Sequence, residues 1–215
     1  MKKHLQTKHR QTPGSCKARL LEIEAKLIPE IYRQIEDKSL EDAIKTVEAS
    51  LVEIPPTPFH AVAGRGFLQN VEALAGHLIE FHGSVIREFQ PAAIYCEMNG
   101  FSINPEMWYL DSFAYRNYGG LNDTEWLCEW DNAEYPAFRL AGMEDIQRLF
   151  EKNFWSALVP FEMRFAKTVA EFAIVLRFCE LVERAHQRAK EKSAALKGLR
   201  ILADAHDYDC LHQSV

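Results

Sequence analysis

The chain has no CxxC pair; its five cysteines (Cys16, Cys96, Cys128, Cys179, Cys210) are scattered and odd in number. That excludes a disulfide framework and points to a reducing compartment. No run approaches the roughly 18 consecutive apolar residues of a spanning helix, so no membrane insertion is expected. The opening MKKHLQTKHRQT is basic but no apolar stretch follows, so no secretory signal is expected and the localisation reads as cytoplasmic. An excess of positive charge is also missing. The net charge of -6 disfavours general affinity for nucleic-acid backbones. There is no HExxH, no GxSxG, no GxxxxGK[ST], no strand followed by GxGxxG, no internal repeat and no low-complexity tract. No cofactor, metal set or catalytic set is therefore expected, and the chain reads as a non-enzyme. His77 and His82 are five apart, which does not place them on one helix face as a ligand pair would be.

What is present divides the 215 residues into a basic tail (1–14), a single α+β domain (15–203) and a C-terminal tail (204–215). Within the domain, 15–90 reads as helical, 92–141 as sheet and 143–203 as helical. Leu20, Ile23, Leu27, Ile31 and Ile35 recur at helical steps, and Ser39 is placed to cap a second helix ending near Glu53. Pro55, Pro56 and Pro58 then break regular structure. A third helix is expected over 66–89, a fourth from near Met143. A long fifth helix should start with Pro160 in its first turn and carry the stripe Phe161, Phe165, Val169, Phe172, Leu176, Cys179 and Val182. Its basic end beyond Glu183 should project from the core or cover an acidic surface. The terminal run with Asp204, His206, Asp207, Asp209, Cys210 and His212 holds many possible metal ligands but reads as a tail.

Between 92 and 142 the period changes from about 3.6 to about 2. Ile94, Cys96 and Met98 alternate with Tyr95 and Glu97. Met107, Tyr109, Asp111, Phe113 and Tyr115 share one face of the next segment, and Trp108, Leu110, Ser112 and Ala114 the other. Residues 125–131 alternate Trp126, Cys128 and Trp130 with Glu125, Leu127, Glu129 and Asp131, and a short strand is expected at 137–140. Turn chemistry separates them at Asn99-Gly100, Asn104-Pro105, Gly119-Gly120 and Asp131-Asn132. The expected fold is α+β: a central antiparallel meander of about four strands, flanked by the N-terminal helices and the long C-terminal helix.

The same stretch holds three of the four tryptophans and five of the seven tyrosines, and ten acidic residues against two basic ones lie between Glu97 and Asp145. Carboxylates on neighbouring strands can support acid/base chemistry, and Glu97, Asp111 and Glu129 are the set a hydrolase or transferase would use. No companion motif joins them, so a solvated or partner-facing surface is the simpler expectation. The strand tryptophans, Cys96 and Cys128 read as core. Tyr115, Tyr118 and Tyr135 lie near turns and read as contact residues. A third possibility is a helical scaffold that forms a homodimer through the C-terminal stripe.

The run MWYLDSFAY, then YGG, WLCEWD and FRLAGMEDIQ, resembles small bacterial cytoplasmic immunity proteins that accompany polymorphic or type VI secretion toxins. The resemblance covers about 92–150, and the long terminal helices depart from a compact immunity domain. It implies stoichiometric neutralisation of a cognate toxin acting in the cytoplasm, with no enzymatic activity. Such a toxin would present a basic active-site cleft, which acidic and aromatic groups would steer towards and then fill. The contact surface is expected to draw on Glu97, Asp111, Tyr115, Tyr118, Asp123, Glu125, Glu129 and Asp131, with no nucleic-acid or membrane partner.

Overall fold

A computed structural model describes residues 13–37, 39–101, 106–121, 124–153, 160–208 and 211–214. The expected basic tail up to residue 12, the Asn104-Pro105 turn, Asp123, Asp209 and Cys210 lie outside the described residues, as does the side chain of Cys16. Pro13 and Gly14, expected in the tail, open the first helix.

The described elements run α1 (Pro13–Glu36), α2 (Leu40–Glu53), α3 (Val71–Val85), β1 (Ala93–Asn99), β2 (Tyr109–Tyr115), β3 (Phe138–Arg139), α4 (Glu144–Asn153), α5 (Phe161–Lys192), β4 (Arg200–Ala205) and β5 (His212–Ser214). The α+β class is as expected. The four-strand antiparallel meander is not: the sheet is mixed and five-stranded, in the order β3-β2-β1-β4-β5, with β1 and β4 parallel and the other pairs antiparallel.

Two corrections account for the difference. Residues 125–131 form no strand; Glu125–Cys128 is a short 3-10 turn. What would have been a ladder on the outer edge of β2 is supplied by two side-chain acceptors and one backbone hydrogen bond. Asn132 Oδ1 accepts the Ala114 N–H at 2.6 Å, Asp131 Oδ2 accepts the Arg116 N–H at 2.7 Å, and the Asp131 N–H reaches the Ala114 carbonyl at 2.9 Å. Asp and Asn compete for backbone groups in this way, and here they close an edge without a strand. Second, the stretch expected to end a helix and become a tail contains β4 and β5. Ile201-Leu202-Ala203 is a short apolar run buried on both faces, and periodicity alone does not separate such a run from helix. β5 is held from the side by α5: His186 Nδ1 and Ser214 Oγ are 2.9 Å apart, and His212 Nε2 lies 3.2 Å from Glu183.

The long helix α5, about 48 Å at ~1.5 Å per residue, packs between the sheet and the layer of α1, α2 and α3. Ala173, Ile174, Val175 and Leu176 are consecutive and all buried, as expected of a helix covered on all sides. Its stripe Phe165, Val169, Phe172, Leu176, Cys179 and Val182 is spent inside the chain, which removes it as an open dimerisation seam. Pro160 stands one residue before the helix, and the basic end covers acid as expected: Arg188 and Lys192 both grip Glu72 in the first turn of α3. The third helix is shorter than the expected 66–89. Asn70 leaves the helical pattern to hold the Phe67 and Ala141 carbonyls, both at 2.9 Å.

Alternation splits the sheet into two faces. Ile94, Cys96, Met98, Leu110, Ala114, Ile201, Ala203 and Ala205 join the main core with α5. Ala93, Tyr95, Tyr115 and Leu202 form a second, smaller cluster on the opposite face. That second face carries the candidate site.

Candidate functional site

Register places the residues of the second face in rows across the strands. Phe113, Tyr95, Leu202 and Gln213 form one row, and Asp111, Glu97 and Asp204 form the next. The segment after β2 folds back as a roof over the apolar part. Trp126 meets Tyr115 edge-on at 4.7 Å and Tyr118 at 5.5 Å, and its indole N–H reaches the Gly120 carbonyl at 3.1 Å. Gly119 permits this approach: a Cβ there would stand 2.3 Å from the Trp126 ring. Tyr118 then donates to Gln213 Oε1 at 2.5 Å, and Arg200 lies over the Tyr118 ring at 4.7 Å, tying the roof to the far side of the sheet.

Beside the roof opens a cleft of about 1200 Å³. The sheet residues Tyr95, Glu97, Phe113 and Asp204 form its floor, and it is lined further by Leu127, Cys128 and Trp130 after β2, by His206 after β4, and by Tyr32 and Ile35 of α1. Aromatic rings step down into it: Trp130 on Phe113 at 5.0 Å, and Phe113 stacked on Tyr95 at 6.1 Å. Trp130, 52% exposed, stands at the rim.

Three carboxylates in register on adjacent strands are an unfavourable choice for folding alone, since like charges directly opposite repel. Each is held by a donor. Asn99 Nδ2 gives Asp111 a hydrogen bond of 3.0 Å, His206 Nδ1 lies 3.1 Å from Glu97 Oε1, and the Ala205 N–H reaches Asp204 Oδ1 at 2.8 Å. Burial, then the charges of Glu97 and Glu134, raise the Asp111 carboxyl above its ordinary value. Burial, followed by the negative charges of Asp204 and Glu97, likewise pushes the Tyr95 hydroxyl up and keeps it protonated. Asp204, 3% exposed, is the most deeply placed of the three. Among the described residues, no three His, Cys, Asp or Glu side chains come together in a metal-holding group.

The expected surface residues separate. Glu97 and Asp111 are neighbours, as their alternation suggested. Glu129 and Glu125 are exposed on the segment after β2 and lie outside the carboxylate row. Asp131 serves the β2 edge and pairs with Arg116 at 3.2 Å. Tyr115, expected at the surface, is 2% exposed beneath Trp126, with its hydroxyl on the Leu127 carbonyl at 2.9 Å. Tyr118 is half-buried in the roof and Tyr135 packs on Phe81 and His77. The tryptophans diverge from a common core reading: Trp108 is buried, Trp126 half-buried and Trp130 exposed. Cys96 is core and burial pushes its thiol up to about 12, whereas Cys128 is exposed at the cleft.

Asp204, His206 and Tyr95 were missed as site residues. For Asp204 and His206 the available signal is the dense run of ionisable side chains at 204–212, which carries no alternation that would place it on a strand.

No helix among the described residues is long and apolar enough to cross a membrane. No protein-family model matches the chain, and comparison with curated proteins and with solved structures gives no match.

Proposed function

We propose that the chain is a binding protein of immunity type, which neutralises a cognate toxin in the cytoplasm by engaging a basic surface of that toxin. The observation that carries this reading is the carboxylate row Asp111–Glu97–Asp204 set beside an aromatic cleft with Trp130 at its rim. A negative floor steers a basic partner, and exposed aromatic surface contributes affinity once water is excluded. Co-expression with the product of the neighbouring open reading frame tests it. The two proteins should co-purify at one-to-one stoichiometry, and the product should be toxic alone and harmless together with this chain. A product that is harmless alone, or that stays toxic in the presence of the chain, ends this reading.

One observation favours a second reading, hydrolase or transferase chemistry. Burial and the neighbouring Glu97 raise the Asp111 pKa above its ordinary value, and neighbouring carboxylates in unlike environments are how acid and base roles are divided. Glu129 does not belong to that set; Asp204 takes its place. Turnover of chromogenic glycosides or esters that disappears in Asp111→Asn would support it, and a wild-type chain inert towards them would count against it.

A further inference from the structure

We propose that the partner enters the cleft with a single arginine side chain, its guanidinium between Glu97 and Asp204 and its methylene stem along Phe113 and Trp130. The inference rests on the protein-binding reading and specifies how the partner is held.

Charge complementarity selects a cation. The cleft floor carries Glu97 and Asp204 on adjacent parallel strands, with Asp111 alongside Glu97. Neighbouring strands lie about 4.8 Å apart, so the two carboxylates are spaced for a fork of N–H donors rather than for a point charge. Shape selects among cations. Entry passes over Trp130 and Phe113, whose rings are 5.0 Å apart, and ends against Tyr95, stacked on Phe113. A guanidinium is planar, sheds water more easily than an ammonium and stacks on aromatic faces such as Tyr95, which lies in the row beside the two acids, so this floor favours arginine over lysine. His206, 3.1 Å from Glu97 Oε1, holds that carboxylate in place. Asp204 is fixed by the Ala205 N–H. The receptor groups are ordered before the ligand arrives, which lowers the cost of binding.

The test uses the full chain and two probes, N-acetyl-arginine amide and N-acetyl-lysine amide, followed by two-dimensional NMR. The arginine probe should shift the Trp130 indole and the Glu97 and His206 resonances, with about tenfold weaker binding of the lysine probe. Glu97→Gln and the rim variant Trp130→Ala should each weaken the arginine probe by about tenfold. Trp130→Ala removes an exposed ring, so its effect is not confounded by loss of the fold. The proposal is overturned by absence of shifts at these residues up to roughly 10 mM arginine probe, by equal binding of the lysine probe, or by unchanged binding in both variants. The two levels separate cleanly in the co-expression assay. If both variants neutralise the toxin as well as wild type does, arginine capture fails and the immunity reading stands. If wild type does not neutralise, the immunity reading fails whatever the amide probes show.

Discussion

Replacing Glu97 by Gln should stabilise the fold while weakening the site. Glu97 pairs directly with Asp111 across the antiparallel β1–β2 ladder, which sets their Cβ atoms about 5 Å apart. Their carboxylates lie beyond the Cβ atoms, and two full charges about 5–7 Å apart repel by roughly 2–3 kcal/mol at an effective dielectric of about 20, and by about half that or less where solvent reaches the pair. Glutamine keeps the carbonyl that can face His206 Nδ1, so much of that contact survives. The expected net gain is about 1 kcal/mol at neutral pH. The sign with pH follows from Asp111. Its folded pKa is raised, so between its ordinary value and the raised one the folded chain binds more protons than the unfolded chain, and stability falls as pH rises through that window. The gain from Glu97→Gln is therefore fullest above the window and shrinks as acid protonates Asp111. Urea unfolding at neutral pH and near pH 4 measures the gain, and carboxyl-carbon NMR should show the Asp111 titration moving down towards the ordinary range. A variant less stable than wild type at neutral pH, or an Asp111 titration that does not move, would refute the reasoning.

Two further outcomes are expected. Asn132→Ala removes the acceptor for the N–H of fully buried Ala114 and should cost about 1–3 kcal/mol in urea unfolding, with faster exchange of that amide; a loss below about 0.5 kcal/mol would mean the side-chain edge cap is dispensable. The chain should also lose stability in acid, because burial lowers the pKa of His77, His82 and His186. The folded state then binds fewer protons than the unfolded one, so the contribution is present above about pH 6.5 and is lost as pH falls through the folded values, each histidine adding up to about 1.4 kcal/mol per pH unit. His186→Gln should reduce that slope, and an unchanged slope would exclude His186 as a contributor.

Sequence periodicity alone determined the helical stripes of α1 and α5, the two long strands β1 and β2, and the parity that puts Glu97 and Asp111 on the face opposite Ile94 and Leu110. These are local properties: side-chain direction repeats every two residues in a strand and every three or four in a helix, whatever lies nearby. The tertiary structure decided the rest. Residues 125–131 alternate as a strand does, yet Asp131 and Asn132 satisfy the β2 edge with side chains, and the backbone turns into a roof instead. His212-Gln-Ser214 has no strand signal; it is ordered because β4 offers an edge and α5 offers His186 and Glu183. Parity could not say which tyrosine the roof would bury, so Tyr115 changed from contact residue to core when Trp126 closed over it. The third carboxylate, Asp204, lies more than a hundred positions from Glu97 in sequence and reaches it only because β4 pairs in parallel with β1. Non-local pairing carries no local trace, which is why the acidic stretch was legible in sequence while the cleft it forms was not.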